Sequence, residues 1–251
     1  MFTVHGSNNL DLHKKTLTAM LERFILTKIF YDQEISVSHS FLQHSNVNIP
    51  IVIPNGVERR VFDQVKDIVK RSKKFTFLFV GRFDAIKGVV LLIEAFSDFH
   101  KKYANTQLLL IGYGFEERKI INLIKQLHLE DSIIIKGKLV GKPLMYLYKL
   151  VDVVVLPSLS EGQPVVILEA FAAKKPIIAT DVGDVGRLIK SGKTGFLIQP
   201  SSINALHKAL VAAYHAKNLK SMGINGYKIV QQYEWDTIAA KTAAVYESLI
   251  K

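Results

Sequence analysis

From about residue 70 onward the chain alternates between short apolar runs and longer helical stretches, an order that few folds accept. The runs are 75–80 (FTFLFV), 107–111 (QLLLI), 132–135 (SIII), 151–156 (VDVVVL) and 176–179 (PIIA), with a last strand, GFLI, at 195–198. Helical stretches at 88–103, 115–128, 141–150, 164–173 and about 184–191 lie between them. Strands this continuously apolar, each followed by a helix, predict a parallel sheet covered on both faces. The expected fold class is α/β, a Rossmann-like parallel sheet flanked by helices. Further helices are expected from Ser201, near Lys217, and from Trp235 to the C-terminus, where Ile238, Ala239, Ala243, Tyr246 and Leu249 recur at helical spacing.

The N-terminal part is less regular. Phe2, Thr3 and Val4 read as the tail of a strand entering a loop at His5-Gly6-Ser7. Over 10–30, Leu17, Met20, Leu21, Phe24, Ile25 and Ile29 recur at helical spacing, with lysines and arginines among the remaining positions. A core-packed surface helix is the preferred reading there, and a membrane-surface helix the sharper alternative. A short strand at 34–37, a short helix near Phe41 and a strand at 49–53 follow. The strand ends at Pro54-Asn55-Gly56, where Asn-Gly marks a tight turn. The domain boundary is placed here: 1–54 as one part, 55–234 as the sheet domain, and 235–251 as a helix packing back towards the N-terminal part.

The most informative stretch is 151–173, VDVVVLPSLSEGQPVVILEAFAA. The apolar run stops at Pro157, a polar loop follows, and Pro164 suits the first turn of a helix because its missing N–H is not needed there. That places Glu161 at the strand-to-helix crevice where open α/β sheets bind ligands. Glu169 lies inside an otherwise apolar helix. An acid is almost never fully buried without a partner, so Glu169 requires a hydroxyl or a cation. After the first strand of the domain, Gly81 allows close backbone approach. Arg82 and Lys87 put two cations at the sheet edge beside a new helix N-terminus, a combination suited to phosphate oxygens. The bland alternative is two solvated loop cations.

Other chemistries find little support. Ile111-Gly112-Tyr113-Gly114 lacks the third glycine of a dinucleotide fingerprint, and no lysine follows a G-x-x-x-x-G, which argues against an NAD enzyme and a P-loop ATPase. His39 and His44 lack a third ligand, so no metal site is expected. There is no Ser-centred nucleophile elbow. The absence of cysteine rules out disulfides and thiolate ligands. No apolar run approaches the roughly 20 residues that span a bilayer, and MFTVHGSNN lacks a signal-peptide core. The net charge of +11 favours anionic partners, a phosphorylated substrate or an acidic lipid surface. The basic residues are scattered and match no nucleic-acid-binding signature, so nucleic acid is not an expected partner.

Taken together, VGRFDAIKG, the GYG turn, LPSLSEGQPVVILEAFAAKKPIIAT and GKTGFLIQP resemble the nucleotide-sugar domain of GT-B-fold retaining glycosyltransferases of family 4, the glycosyl transferases group 1. The resemblance covers nearly all of 34–251, and the spacing Glu161-x7-Glu169 is its most specific element. It implies a donor-binding C-terminal domain with a partial N-terminal domain. It implies transfer of a sugar from a UDP- or GDP-sugar to a hydroxyl of a sugar, lipid or protein acceptor, with retention, without metal and with no cofactor beyond the donor. By the same resemblance Arg82 and Lys87 bind the donor diphosphate, beside Gly81. Glu169 binds the ribose hydroxyls and Glu161 lies near the donor sugar. Gly137, Lys138, Leu139 and Val140 meet the base through backbone groups. Gly162, Gln163, Pro164 and Val165 bring the helix N-terminus towards sugar and phosphate, and His5 faces the sugar across the cleft. Glu161, Arg82, Lys87 and His5 are thus the expected catalytic group. IPNGV at 53–57 and Tyr233-Glu234-Trp235-Asp236 match family landmarks near the interdomain hinge. Two departures stand out: Lys174 where the family usually has glycine, and Arg187 where a Glu is common.

The family has two Rossmann-like domains, and this sequence resembles only the last part of the first. An apolar helix face over 10–30 without its usual cover predicts self-association, a partner chain, or peripheral contact at the inner membrane surface of the cytoplasm. The alternative function is a non-catalytic nucleotide-sugar-binding subunit whose partner supplies the acceptor half. A GT-B-type epimerase or other phosphate-handling enzyme is the third reading, and the Glu161-x7-Glu169 spacing argues against it.

Overall fold

The computed structural model describes residues 2–4, 33–42, 51–65 and 73–250. The N-terminal part contributes strand β1 (Phe2–Val4), strand β2 (Glu34–Ser36), helix α1 (His39–Leu42) and strand β3 (Ile51–Val52). The three strands form a parallel sheet in the order β1-β2-β3. The helix expected over 10–30, and the apolar face assigned to it, lie outside the described residues.

After the short helix α2 (Arg59–Gln64), the expected alternation follows. Strand β4 (Phe75–Val80) leads through a 3₁₀ turn, Ala85–Lys87, into α3 (Val89–Lys102). Then come β5 (Thr106–Ile111), α4 (Glu117–Gln126), β6 (Ile133–Ile135), α5 (Lys142–Leu150), β7 (Val153–Leu156) and α6 (Val165–Ala172). The chain continues with β8 (Ile177–Thr180), α7 (Val185–Leu188), β9 (Gly195–Ile198), α8 (Ile203–His215) and α9 (Leu219–Val230). It ends in α10 (Trp235–Ile250). Helix α2 has no counterpart among the expected elements, because six residues with one buried apolar side chain, Phe62, give periodicity too little to act on. The helix expected at about 184–191 is only four residues long.

All six strands of the large sheet are parallel, in the order β6-β5-β4-β7-β8-β9. The period-two geometry of a strand divides its side chains between two cores. Phe77, Phe79, Leu108, Leu110, Val153 and Val155 point into a core closed by α3, α4 and α8. Leu78, Leu109, Ile111, Val154 and Leu156 point into a second core with Phe62, Tyr148 and the α6 residues Ile167, Leu168 and Phe171. Both faces are buried, which is why the strands read as unbroken apolar runs rather than as alternations. From β4 the chain winds outward through β5 to β6, then returns to the other side of β4 as β7. The carboxyl ends of β4 and β7 are therefore the topological switch point of the sheet, where α/β folds bind ligands.

The N-terminal part, and the connecting segment that begins at Asn55, are joined to this body by apolar and polar contacts respectively. The Val57 N–H donates to the Tyr233 carbonyl at 2.8 Å, and the Arg59 Nε to Glu234 Oε1 at 2.5 Å. Ile238 and Val245 of α10 share a buried cluster with Ile35 of β2 and Ile53.

Candidate functional site

The site begins at the end of β4. Gly81 N–H extends the ladder to the Ile111 carbonyl at 3.0 Å, and Phe83, fully buried, donates its N–H to the Tyr113 carbonyl at 2.8 Å. These bonds fasten the β4 loop to the β5 loop. The chain then makes the 3₁₀ turn that presents Lys87, and at Gly88 it crosses to φ +68° before entering α3. A Cβ on Gly88 would lie 2.2 Å from the Pro157 carbonyl oxygen, so this crossing needs glycine on grounds of both conformation and space. On the other strand of the switch point, the loop after β7 is tied to the turn by the Leu159 N–H donating to the Ile86 carbonyl at 2.7 Å.

Between these two loops Lys87 Nζ donates to Glu161 Oε1 at 2.6 Å. Ser158 Oγ, fully buried, donates to the same oxygen at 2.7 Å, and the Ser158 carbonyl accepts the Thr180 hydroxyl. The Lys87 side chain is 22% exposed and Glu161 9%, so the pair lies at the floor of the crevice with the ammonium the more accessible partner. Arg82 is elsewhere on the same loop. Its Nη2 meets Asp84 Oδ2 at 2.7 Å, and its side chain is 56% exposed, a solvent-facing cation paired on its own loop. The structure thus brings Lys87 and Glu161 into contact and leaves Arg82 paired to a neighbour on its own loop.

Glu169 has the partner its surroundings demand. Tyr148 of α5, fully buried, donates its hydroxyl to Glu169 Oε2 at 2.6 Å. Burial pushes the Glu169 carboxyl above its usual range, and the Tyr148 hydrogen bond opposes that rise. Burial, and then the Glu169 charge, push the Tyr148 phenol well above its own range. Gly137, with φ +63°, accepts from the Gly112 N–H at 2.8 Å, and Lys138 and Val140 beyond it are exposed. Leu139 packs against the second core. Pro164 is buried and stands just before α6 rather than inside its first turn, and Val165 is exposed at the helix start. His5 lies outside the described residues.

The N-terminal part, through His39 and Ser40, and the connecting segment, through Asn55, meet this site directly. Asn55 donates its N–H to Gln163 Oε1 and its Nδ2 to the Gln163 carbonyl, the latter at 2.9 Å. Asp184, buried, accepts the His39 N–H at 2.6 Å and the Ser40 N–H at 3.1 Å, and meets His39 Nδ1 at 3.2 Å. Its own N–H donates to the Gly162 carbonyl at 3.0 Å. Sequence reasoning missed Tyr148, Ser158, Asn55 and Asp184 as site neighbours. The need for a hydroxyl beside Glu169 was legible, but the helix supplying it was not, since the pairing spans two helices. Among the described residues, no three His, Cys, Asp or Glu side chains gather to hold a metal ion. No helix among them is long and apolar enough to cross a membrane.

A model of the glycosyl transferases group 1 family matches residues 61–243. The chain belongs to that family. A glycosyltransferase of Methanocaldococcus jannaschii is 30% identical over 254 residues, covering 99% of this chain and 68% of the relative. The phosphatidyl-myo-inositol mannosyltransferase of Mycobacterium leprae is 28% identical, covering 79% of this chain and 54% of its own length. The chain thus spans between about half and two thirds of these relatives. Among solved structures, a sucrose-phosphate synthase of Thermosynechococcus elongatus superposes with TM-score 0.83 at 27% identity, covering 99% of this chain and 67% of the synthase. Anabaena HepE, solved with UDP and glucose, gives TM-score 0.83 at 20% identity, covering 98% of this chain and 71% of its own. That likeness is one of GT-B fold.

Proposed function

We propose that this chain carries the donor site of a retaining, metal-independent glycosyltransferase of family 4, moving a hexose from a UDP- or GDP-sugar to an acceptor hydroxyl. The observation that carries the reading is the Lys87–Glu161 contact of 2.6 Å at the β4/β7 switch point, a cation and a carboxylate converging on one crevice. In transfer, the bond between the sugar C1 and the diphosphate oxygen breaks, a bond from the acceptor hydroxyl oxygen to C1 forms, the hydroxyl proton passes to the leaving diphosphate, and negative charge grows on that diphosphate as the bond breaks. Lys87, supported by Arg82 swinging in from the rim, stabilises that charge where it develops, which is the work a metal would otherwise do. Glu161, held at Oε1 by Ser158 and Lys87 and with no donor to Oε2 among the described residues, accepts from a hydroxyl of the donor sugar. Glu169 accepts from the ribose. The backbone of Gly137, Lys138, Leu139 and Val140 meets the base, and Gly81, Gly162, Gln163, Pro164 and Val165 line the approach to phosphate and sugar. His5 is assigned the sugar-facing role on the family resemblance alone. The division at residue 55 and a cytoplasmic, membrane-peripheral setting belong to the same proposal, the latter supported by the +11 charge.

The test is calorimetry with UDP-, GDP- and ADP-sugars, with and without EDTA. One nucleotide class binds, EDTA leaves its affinity unchanged, and Lys87→Ala weakens it by about 1.5–3 kcal/mol, the worth of a charge-assisted hydrogen bond. Equal affinity in wild type and Lys87→Ala removes the phosphate role, and loss in EDTA restored by Mg²⁺ or Mn²⁺ removes metal independence.

A further inference from the structure

We propose that Tyr148 is a positioning residue for the donor's ribose: its buried hydroxyl fixes the rotation of the Glu169 carboxylate so that the other oxygen is presented to the ribose diol. This rests on the reading of Glu169 as the ribose acceptor. Four observations carry it. The hydroxyl of Tyr148 donates to Glu169 Oε2 at 2.6 Å, a length typical of a charge-assisted bond. The tyrosine ring is itself enclosed, at 0% exposure and edge-on to Phe62 with centroids 5.9 Å apart. Among the described residues, Glu169 Oε1 accepts from no side chain or backbone donor, so one face of the carboxylate is left for a ligand. Finally, α6 is otherwise apolar (VVILEAFA), and burying an ionisable carboxyl there opposes folding, as its raised pKa records. A helix built only to pack needs no acid at this position, and a tyrosine built only to pack needs no hydroxyl.

The alternative is that the pair is architectural, each group merely satisfying the other. The two readings differ in what the nucleotide senses. A carboxylate with free rotation about its last bond still carries charge, yet offers the diol a spread of geometries; one pinned at Oε2 offers a single geometry. Tyr148 also sits on α5, the element that follows the loop of Gly137 to which the base is assigned. One helix therefore links base contact to ribose contact. Helices α2 and α9 pack on α6 as well. Of their ionisable groups, Arg59, Asp63 and Tyr227 hydrogen-bond one another, Arg60 faces Glu234 and Asp236, and Lys220 and Lys228 complete the set; the Lys174 ammonium lies over the Tyr227 ring at 4.5 Å. Tyr148 is the one described side chain that hydrogen-bonds the Glu169 carboxylate.

The experiment is calorimetry of UDP, GDP and ADP, carried forward with whichever binds, against its 2′-deoxy and 3′-deoxy forms, between pH 5 and 8. Wild type prefers the ribonucleotide, and Glu169→Gln loses most of that preference. Tyr148→Phe, with its melting transition intact, loses a part of it, on the order of three- to tenfold. Its affinity also falls off at a higher pH than in wild type, because a hydrogen bond favouring the charged carboxylate has gone. In the Glu169→Gln background Tyr148→Phe changes the ribose preference no further. Should Tyr148→Phe fail to fold, 3-fluorotyrosine at position 148 keeps the packing. Its more acidic phenol moves the acid limb to lower pH. A wild type without ribose preference removes the ribose reading, and this inference with it. A ribose preference that Tyr148→Phe or the fluorotyrosine leaves intact, with the acid limb unmoved, overturns the inference alone and leaves Glu169 in place.

Discussion

Glu169 is held in a pocket that resists its charge, and function and stability pull on it in opposite directions. Its folded-state pKa is raised by burial, so the folded chain holds the proton more tightly than the unfolded chain. The contribution to stability is then present at low pH and is lost as pH rises through the folded pKa. Glu169→Gln keeps an amide oxygen to accept from Tyr148 and removes the buried charge. At pH 7 its melting temperature is expected to rise, by about 2–4 °C for each kcal/mol recovered in a chain this size, while nucleotide affinity falls. At pH values below the raised pKa the stability gain disappears. Scanning calorimetry from acid pH up to pH 7 reads both effects, and a variant less stable than wild type at pH 7 would sink this account. The opposite arrangement holds at Glu161, where Lys87 and Ser158 both donate to one oxygen. There the charge is supported, and the cation that supports it is the one proposed to leave for phosphate.

At the scale of elements, the switch point depends on a tight passage from strand to helix. Gly88, at φ +68° and backed by the Pro157 carbonyl, closes the 3₁₀ turn and opens α3. Gly88→Ala adds a left-handed strain and a backbone clash, so it is expected to destabilise by about 2–3 kcal/mol or more and to displace Lys87. Urea denaturation measures the first and donor titration the second; a variant with wild-type stability would show that the turn is not strained. The same crowding explains how much of the site was legible. The strands and helices were readable because their apolar residues follow fixed periods; the loops carrying Arg82, Lys87 and Glu161 were readable because polar residues interrupt those periods at strand ends, and Glu169 because it is the one acid in an apolar helix. Which groups pair was not readable. Arg82 and Lys87 are five positions apart in one loop, yet one pairs with Asp84 and the other with Glu161 across the crevice. Contacts between elements, such as Tyr148 with Glu169, leave no periodic trace. Lys174 is a visible departure with a physical sense: it occupies φ +58°, the conformation a glycine would adopt freely, and its ammonium lies over the Tyr227 ring.

For the molecule as a whole, the question is how the N-terminal part is held against the donor loops. Two kinds of contact do this. Ile238 and Val245 of α10 close over Ile35 and Ile53, an apolar contact far along the chain from the crevice. Asp184 binds the N-terminal part, and Gln163 the connecting segment at Asn55, from within the crevice loops themselves. The Asp184 carboxylate takes two backbone N–H groups at the start of α1, donors that no helix can satisfy internally. The segment carrying Asp184 is locked to the Glu161 loop: Gly183 adopts φ +56°, and a Cβ there would lie 1.9 Å from the Glu161 carbonyl oxygen. Two consecutive residues, Gly183 and Asp184, thus connect α1 to the loop bearing Glu161. Asp184→Ala removes the acceptor and leaves the N–H groups of His39 and Ser40 without their partner, a loss of about 1.5–3 kcal/mol for bonds to a charged group. The Gly162 contact survives because it uses the Asp184 main chain. Nucleotide affinity, which on the proposed reading depends on Lys87 and Glu169, is therefore expected to change little, while transfer to an acceptor falls as the two parts lose their fixed relation. Thermal unfolding, nucleotide titration and a transfer assay on the same variant separate these effects. A variant that keeps wild-type stability and transfer would show that Asp184 does not hold the two parts together. One that loses nucleotide affinity as strongly as transfer would place Asp184 in the donor site itself.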